Sequence, residues 1–226
     1  MTANHKSNTG LIKDIIIGMS DGLTVPFALT AGLSGVLHTN QLIIVSGMAE
    51  IAAGCISMGL GGFLAGESEI DHYNTALRRE YYEIETVPNL ELKEVEDALT
   101  AVGVDMDLSK TVALQISRNK DNWASFMMQV ELKMEKPVDN RARVSAATIA
   151  LSYLVGGFIP LFPYILTNNN QTGFYISCTV TIIALIIFGY FKSKATGQNI
   201  ITGTLKVASI GIIAAAAAFL LAKAVS

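Results

Sequence analysis

Five stretches of almost unbroken apolar residues, near 15–37, 41–66, 145–167, 172–192 and 202–224, constrain this 226-residue chain more than any other feature. Crossing the hydrocarbon of a bilayer takes about 20 residues of helix, and each stretch reaches that length. The chain is therefore expected to be an all-α membrane protein with five transmembrane helices. With 51% hydrophobic and only 15% charged residues, the soluble part must be modest.

What charge there is gathers in one place. The polar segment 67–143, between the second and third stretches, carries 16 of the 19 acids and ten of the 16 basic residues. The chain thus divides into 1–66 with helices one and two, an insert at 67–143, and 144–226 with helices three to five. The insert's periodicity is helical. "ESEIDHYNTALRREYYEIETV" prolongs the second span until Pro88 breaks it, and "LELKEVEDALTAVG", "LSKTVALQISRN" and "NWASFMMQVELKMEK" predict three more helices, the last ending before Pro137. A small helical domain on a membrane stalk is expected.

Basic residues set the orientation. Lys6, Lys13, the ten of the insert, Lys192, Lys194 and Lys206 fall on one side; only Lys223 falls on the other, and "HTNQ" and "TNNNQTG" carry none. By the positive-inside rule the N-terminus and insert are cytosolic and the C-terminus is not. Asn170 begins an N-Q-T sequon on the far side, close to the membrane. The first apolar run lacks a small-x-small cleavage site, which predicts a retained helix rather than a cleaved signal peptide. Cys55 and Cys178 lie in apolar segments and read as small buried hydrophobes. A net charge of −3 gives no reason to expect a nucleic-acid partner.

Asp14 sits at the membrane edge, and only Asp21 and Glu50 are deep. An intramembrane carboxylate costs roughly 2.5–3.5 kcal/mol, so such residues default to function. At 1.5 Å per residue, Asp21 and Met58 lie roughly 9 and 12 Å from the cytosolic edge, with Glu50 two turns further. This ladder of carboxylate, thioether and carboxylate suits a borderline-soft divalent ion. The alternative is that Asp21 caps a helix broken near Pro26 and Glu50 pairs within the bundle. Gly18-x-x-x-Gly22 and Gly62-x-x-x-Gly66 permit close helix contact, either at a homodimer seam through helices one and two or within one chain. Pro26 frees a backbone carbonyl that could face the ion.

In the insert, Glu80 and Glu83 are three apart, as are Glu91 and Glu94, and like charges on one helical face repel unless a cation or solvent relieves them. Met127, Met128 and Glu131 repeat the short spacing with thioethers. Together they suggest a carboxylate and methionine metal site; solvated acidic faces and core methionines are the alternatives. Glu69-x-x-His72 matches half of a di-iron carboxylate motif, but the histidines are only His5, His38 and His72, and no second Glu-x-x-His exists. A ferritin-like oxidase is therefore not expected, and His38 reads as a solvated loop residue. No nucleophile triad, phosphate loop or CxxC appears, so neither an enzyme nor a permanently bound cofactor is expected.

The stretches "DIIIGMSDGLTVPFALTAGLSG", "AEIAAGCISMGLGGFLAGESEIDHY", "FMMQVELKMEKP" and "GGFIPLFPY" together resemble the vacuolar iron transporter family, which includes the yeast calcium-cross-complementer type and plant nodulin-like transporters. The acidic insert is similar to that of the plant-type branch. The resemblance implies a five-helix homodimer in a vacuolar or other acidic-organelle membrane, exchanging cytosolic Fe2+ for H+. It further implies an ion path between helices one and two of both subunits, at Asp21, Glu50 and Met58. The family's cytosolic metal-binding domain matches Glu80, Glu83, Glu91, Glu94, Met127, Met128 and Glu131. Expected partners are divalent metal ions, Mn2+, Zn2+ and Co2+ beside Fe2+, and membrane lipid. A manganese-selective carrier of this design and a membrane-anchored metal buffer or sensor are the competing expectations.

Overall fold

A computed structural model describes residues 2–37, 39–138 and 140–225, with side chains from Gly10 onward; His38 lies outside the described residues. Among these residues there are helices and no strands. In chain order they are α1 (Thr2–Ser34), α2 (Asn40–Thr86), α3 (Pro88–Ala101), α4 (Met106–Ile116), α5 (Lys120–Phe126), a π turn (Met127–Glu131), α6 (Arg141–Leu166), α7 (Asn170–Ala195) and α8 (Ile200–Val225). Five of them, α1 over Gly10–Ser34, α2, α6, α7 and α8, are long and apolar enough to cross a membrane. The all-α, five-span expectation holds. The chain forms two compact units, one of Met1–Leu64 with Ala142–Ser226, the other of Ala65–Arg141.

In the first unit, apolar helices gain little from leaving lipid for one another, so close backbone approach must hold them. Glycine supplies it. Gly22 of α1 and Gly156 of α6 meet backbone to backbone, and Gly18 rests on the Ile149 carbonyl. Pro26 carries no N–H to bond the Gly22 carbonyl, and Gly22 is where α6 comes against α1. Leu23, Leu185 and Val207 form one apolar cluster, and Phe27, Ala31 and Ala215 another. Gly18 and Gly22 are thus used within the chain. α2 presents a different stripe outward: Ala49, Ala53, Ser57 and Gly61, four apart, are all exposed, and nothing lies within 4 Å of a Cβ placed on Gly61.

The connections at the other end of these helices are tied by amides. Asn40 donates to the carbonyls of Tyr164 (3.2 Å) and Thr167 (2.5 Å). Asn170 donates to those of Leu37 and, at 3.4 Å, Ser34. The Ser34 and Tyr164 hydroxyls are 2.6 Å apart. The sequon asparagine therefore has its side-chain nitrogen engaged.

The second unit is built around Ile84, Val95, Ala113, Trp123, Ala124 and Met127. Pro88 opens α3, where a missing N–H costs nothing, and the Asp105 and Asn119 side chains cap α4 and α5. One expectation is corrected here. The helix predicted over 122–136 leaves α geometry at Met127 and ends at Glu131, with Leu132 N–H reaching back to the Met127 carbonyl and Lys133 at φ 52°. Met127 and Met128 are both buried, and the wider π turn brings these neighbours inward together.

Candidate functional site

Within the first unit α6 acts as a ruler. Ile149 is met from α1 by Gly18 and from α2 by Gly62, whose Cβ would stand 2.6 Å from Ile149 Cδ1; Tyr153 is met by Gly22 and Gly54. Asp21, within α1's Gly18–Gly22 turn, and Met58, between Gly54 and Gly62, therefore share one level. Both are half-buried, as is Glu50.

Tyr153 connects these residues. Its hydroxyl donates to Glu50 Oε1, its ring lies over Gly54, its backbone lies on Gly22, and Asp21 and Cys55 are within electrostatic reach. Glu50 Oε2 is buried and has no hydrogen-bond partner. One carboxylate oxygen is thus fixed and the other left over, a disposition that holds a ligand atom in place without satisfying it. The sequence reading missed Tyr153; the signal was a phenol within an apolar span, whose O–H must find a partner. Asp14, read as a membrane-edge residue, is more enclosed than the other two acids, at 3% exposure.

In the second unit, Glu80 and Glu83 of α2, Glu91 and Glu94 of α3 and Glu131 of the π turn line one cavity of about 530 Å³. Helical spacing brings 76, 80 and 83 to one face of α2 and 90, 91 and 94 to one face of α3, and the π turn adds Glu131. Glu80 and Glu91 are buried, at 4% and 2% exposure, and the Oε2 atom of each lacks a partner among the described residues. Burial, then the charges of Glu131 and Glu83, pushes the Glu80 carboxyl up to about 7; burial, then Glu94 and Glu80, does the same for Glu91. Glu131 is raised by burial and by Glu94. Among the described residues, the one cation lining the cavity, Arg79, pairs with Glu83 at 2.9 Å and is largely solvated. Five carboxylates facing one space with so little compensation favour a multivalent cation, which would displace their protons.

The methionines are placed differently from the expectation. Met127 belongs to the apolar core and Met128 is buried beside it; the thioether lining the cavity is that of Met134, and His72 and Thr75 line it as well. Among the described residues no three His, Cys, Asp or Glu side chains are already gathered to hold one ion. Occupancy therefore requires the carboxylates to close in.

A model of the VIT family matches residues 12–223. The chain belongs to the VIT family. "Vacuolar iron transporter" of Centaurea cyanus is 50% identical over 97% of this chain and 90% of its own length. "Vacuolar iron transporter 1" of Tulipa gesneriana is 47% identical over 98% and 90%. "Protein CCC1" of Saccharomyces cerevisiae is 37% identical over 96% and 72%. The VIT match runs through both units, so the cavity of the insert and the Tyr153 cluster both lie within the matched residues. The relatives named vacuolar iron transporters are transporters, not enzymes.

Proposed function

We propose that this chain carries Fe2+, and to a lesser degree other divalent transition ions such as Mn2+, Zn2+ and Co2+, out of the cytosol into an acidic compartment, the vacuole or its equivalent, in exchange for protons. The observation that carries the reading is the pair of membrane acids, Asp21 and Glu50, brought around Tyr153, with Met58 at the level of Asp21. In this reading the N-terminus and insert face the cytosol. The insert collects metal on Glu80, Glu83, Glu91, Glu94 and Glu131; Met127 and Met128 join only if the π turn rotates them out of the core. Two copies pair through α1 and the exposed small-residue stripe of α2, closing the path between them. A proton arriving from the acidic side neutralises a carboxylate ligand and frees the ion. A difference of two pH units supplies about 2.7 kcal/mol per proton.

Purified protein in liposomes with an imposed pH gradient tests this. Fe2+ uptake that follows the gradient, and falls to background in Asp21→Ala while the dimer persists, is the expected result; undiminished uptake by that variant removes Asp21 from the path. The glutamate cavity favours one second reading, a membrane-anchored buffer, which would bind iron at the same sites yet pass none across the bilayer.

A further inference from the structure

The cavity of the insert offers donors of two kinds. Its carboxylates come from Glu80 onward along α2, from α3 and from the π turn; beyond them lie an imidazole, His72, and a thioether, Met134. His72 precedes Glu80 by eight residues, about 12 Å along the helix, too far to share a ligand sphere with it. It lies on the same face of α2 as Ala76, Glu80 and Glu83, all of which line the cavity. Met134, whose N–H donates to the Met128 carbonyl at 2.7 Å, follows the π turn and lines the same cavity as His72. Among the described residues neither side chain is engaged in a hydrogen bond or ion pair. Independently of the acids' number, the buried, unpartnered oxygens of Glu80 and Glu91 mark this cavity as built for a ligand.

Resting on the reading of the glutamate cavity as a metal site, we propose a second metal station in the same cavity, formed by His72 Nδ1 or Nε2 and Met134 Sδ with water completing the sphere. Nitrogen and thioether select borderline and soft ions over Mg2+, Ca2+ and Mn2+, for which carboxylate suffices. Two protein donors hold an ion weakly and exchange it quickly, as suits a point where metal leaves the tighter carboxylates.

Cd2+ serves as a diamagnetic probe. The full chain in detergent, labelled with 15N-histidine, is titrated with Cd2+ at pH 7.5, with His72→Ala assigning the His72 signal. The expected result is a saturable shift of one His72 ring nitrogen, no shift with Ca2+, and a midpoint raised at least threefold by Met134→Leu. A His72 signal that stays fixed while Cd2+ fills the carboxylates, or a midpoint untouched by Met134→Leu, overturns the station. Cd2+ binding heats identical in wild type and Glu80→Ala/Glu91→Ala would instead overturn the glutamate site on which it rests.

Discussion

The two units manage negative charge in opposite ways. The membrane unit gives Glu50 Oε1 a donor, Tyr153, against a backbone pressed close by Gly22, Gly54 and Gly156. The insert gathers five glutamates on one cavity and leaves them to repel, with protons held on the buried pair near neutrality. The first arrangement is rigid because its atoms leave no room; the second is compliant because nothing but a cation completes it. In the proposed function the first would serve as a fixed gate and the second as an adjustable collector.

The contrast breaks most readily at the collector. Glu80→Ala with Glu91→Ala should weaken divalent-ion binding by about a hundredfold, roughly 2.8 kcal/mol, while the thermal transition of the membrane helices stays in place; a smaller loss than tenfold by calorimetry would mean the carboxylates act singly. Gly22→Ala addresses the rigid side. Its Cβ would meet the Tyr153 backbone, and overpacking of this kind costs about 1–3 kcal/mol, read as a lower melting temperature in detergent, whereas Gly61→Ala should leave the monomer's stability alone and alter only dimer affinity.

Acid should move the two units differently. Glu80 and Glu91 titrate at about 7 in the fold against a usual 4.5. Between those values the folded insert binds more protons than the unfolded chain, so its cation-free stability is highest toward pH 4.5 and is lost as pH rises through about 7. Metal binding runs the other way: affinity should fall about tenfold from pH 7.5 to 6, with proton release measurable in buffers of different ionisation enthalpy. Tyr153→Phe strips Glu50 Oε1 of its donor and should slow transport by about fivefold to tenfold, near the 1–1.5 kcal/mol of one hydrogen bond, without changing binding to the insert. The smallest effect belongs to the exposed Lys120–Glu85 pair, 2.8 Å apart; Lys120→Ala should leave the melting temperature essentially unchanged, and a clear drop would show that α5 is held to α2 chiefly by charge.

Much of this was legible in residues alone. Apolar length gave the five spans to within a few residues, except that α1 begins well before its apolar run, and Pro88 set the break between α2 and α3. Spacing of three put Glu80 with Glu83 and Glu91 with Glu94 on common faces. What spacing cannot show is which faces meet. Tyr153, more than a hundred residues after Glu50, reaches it only because Gly54 and Gly22 admit α6 between α1 and α2. Met127 and Met128 looked like ligands by proximity to Glu131, but the core beneath Trp123 and Ile84 claimed Met127 and the π turn buried its neighbour, leaving Met134 on the cavity. Asp14's enclosure was hidden because burial inside α1, near the start of its membrane span, depends on what packs there.

The clasp at the far connections bears on all this. Asn40, Asn170, Ser34 and Tyr164 bind carbonyls and one another through amides and hydroxyls. None of these groups changes charge between about pH 4 and 8. On the side that faces acid in the proposed orientation, the frame is therefore deaf to the signal that its carboxylates hear.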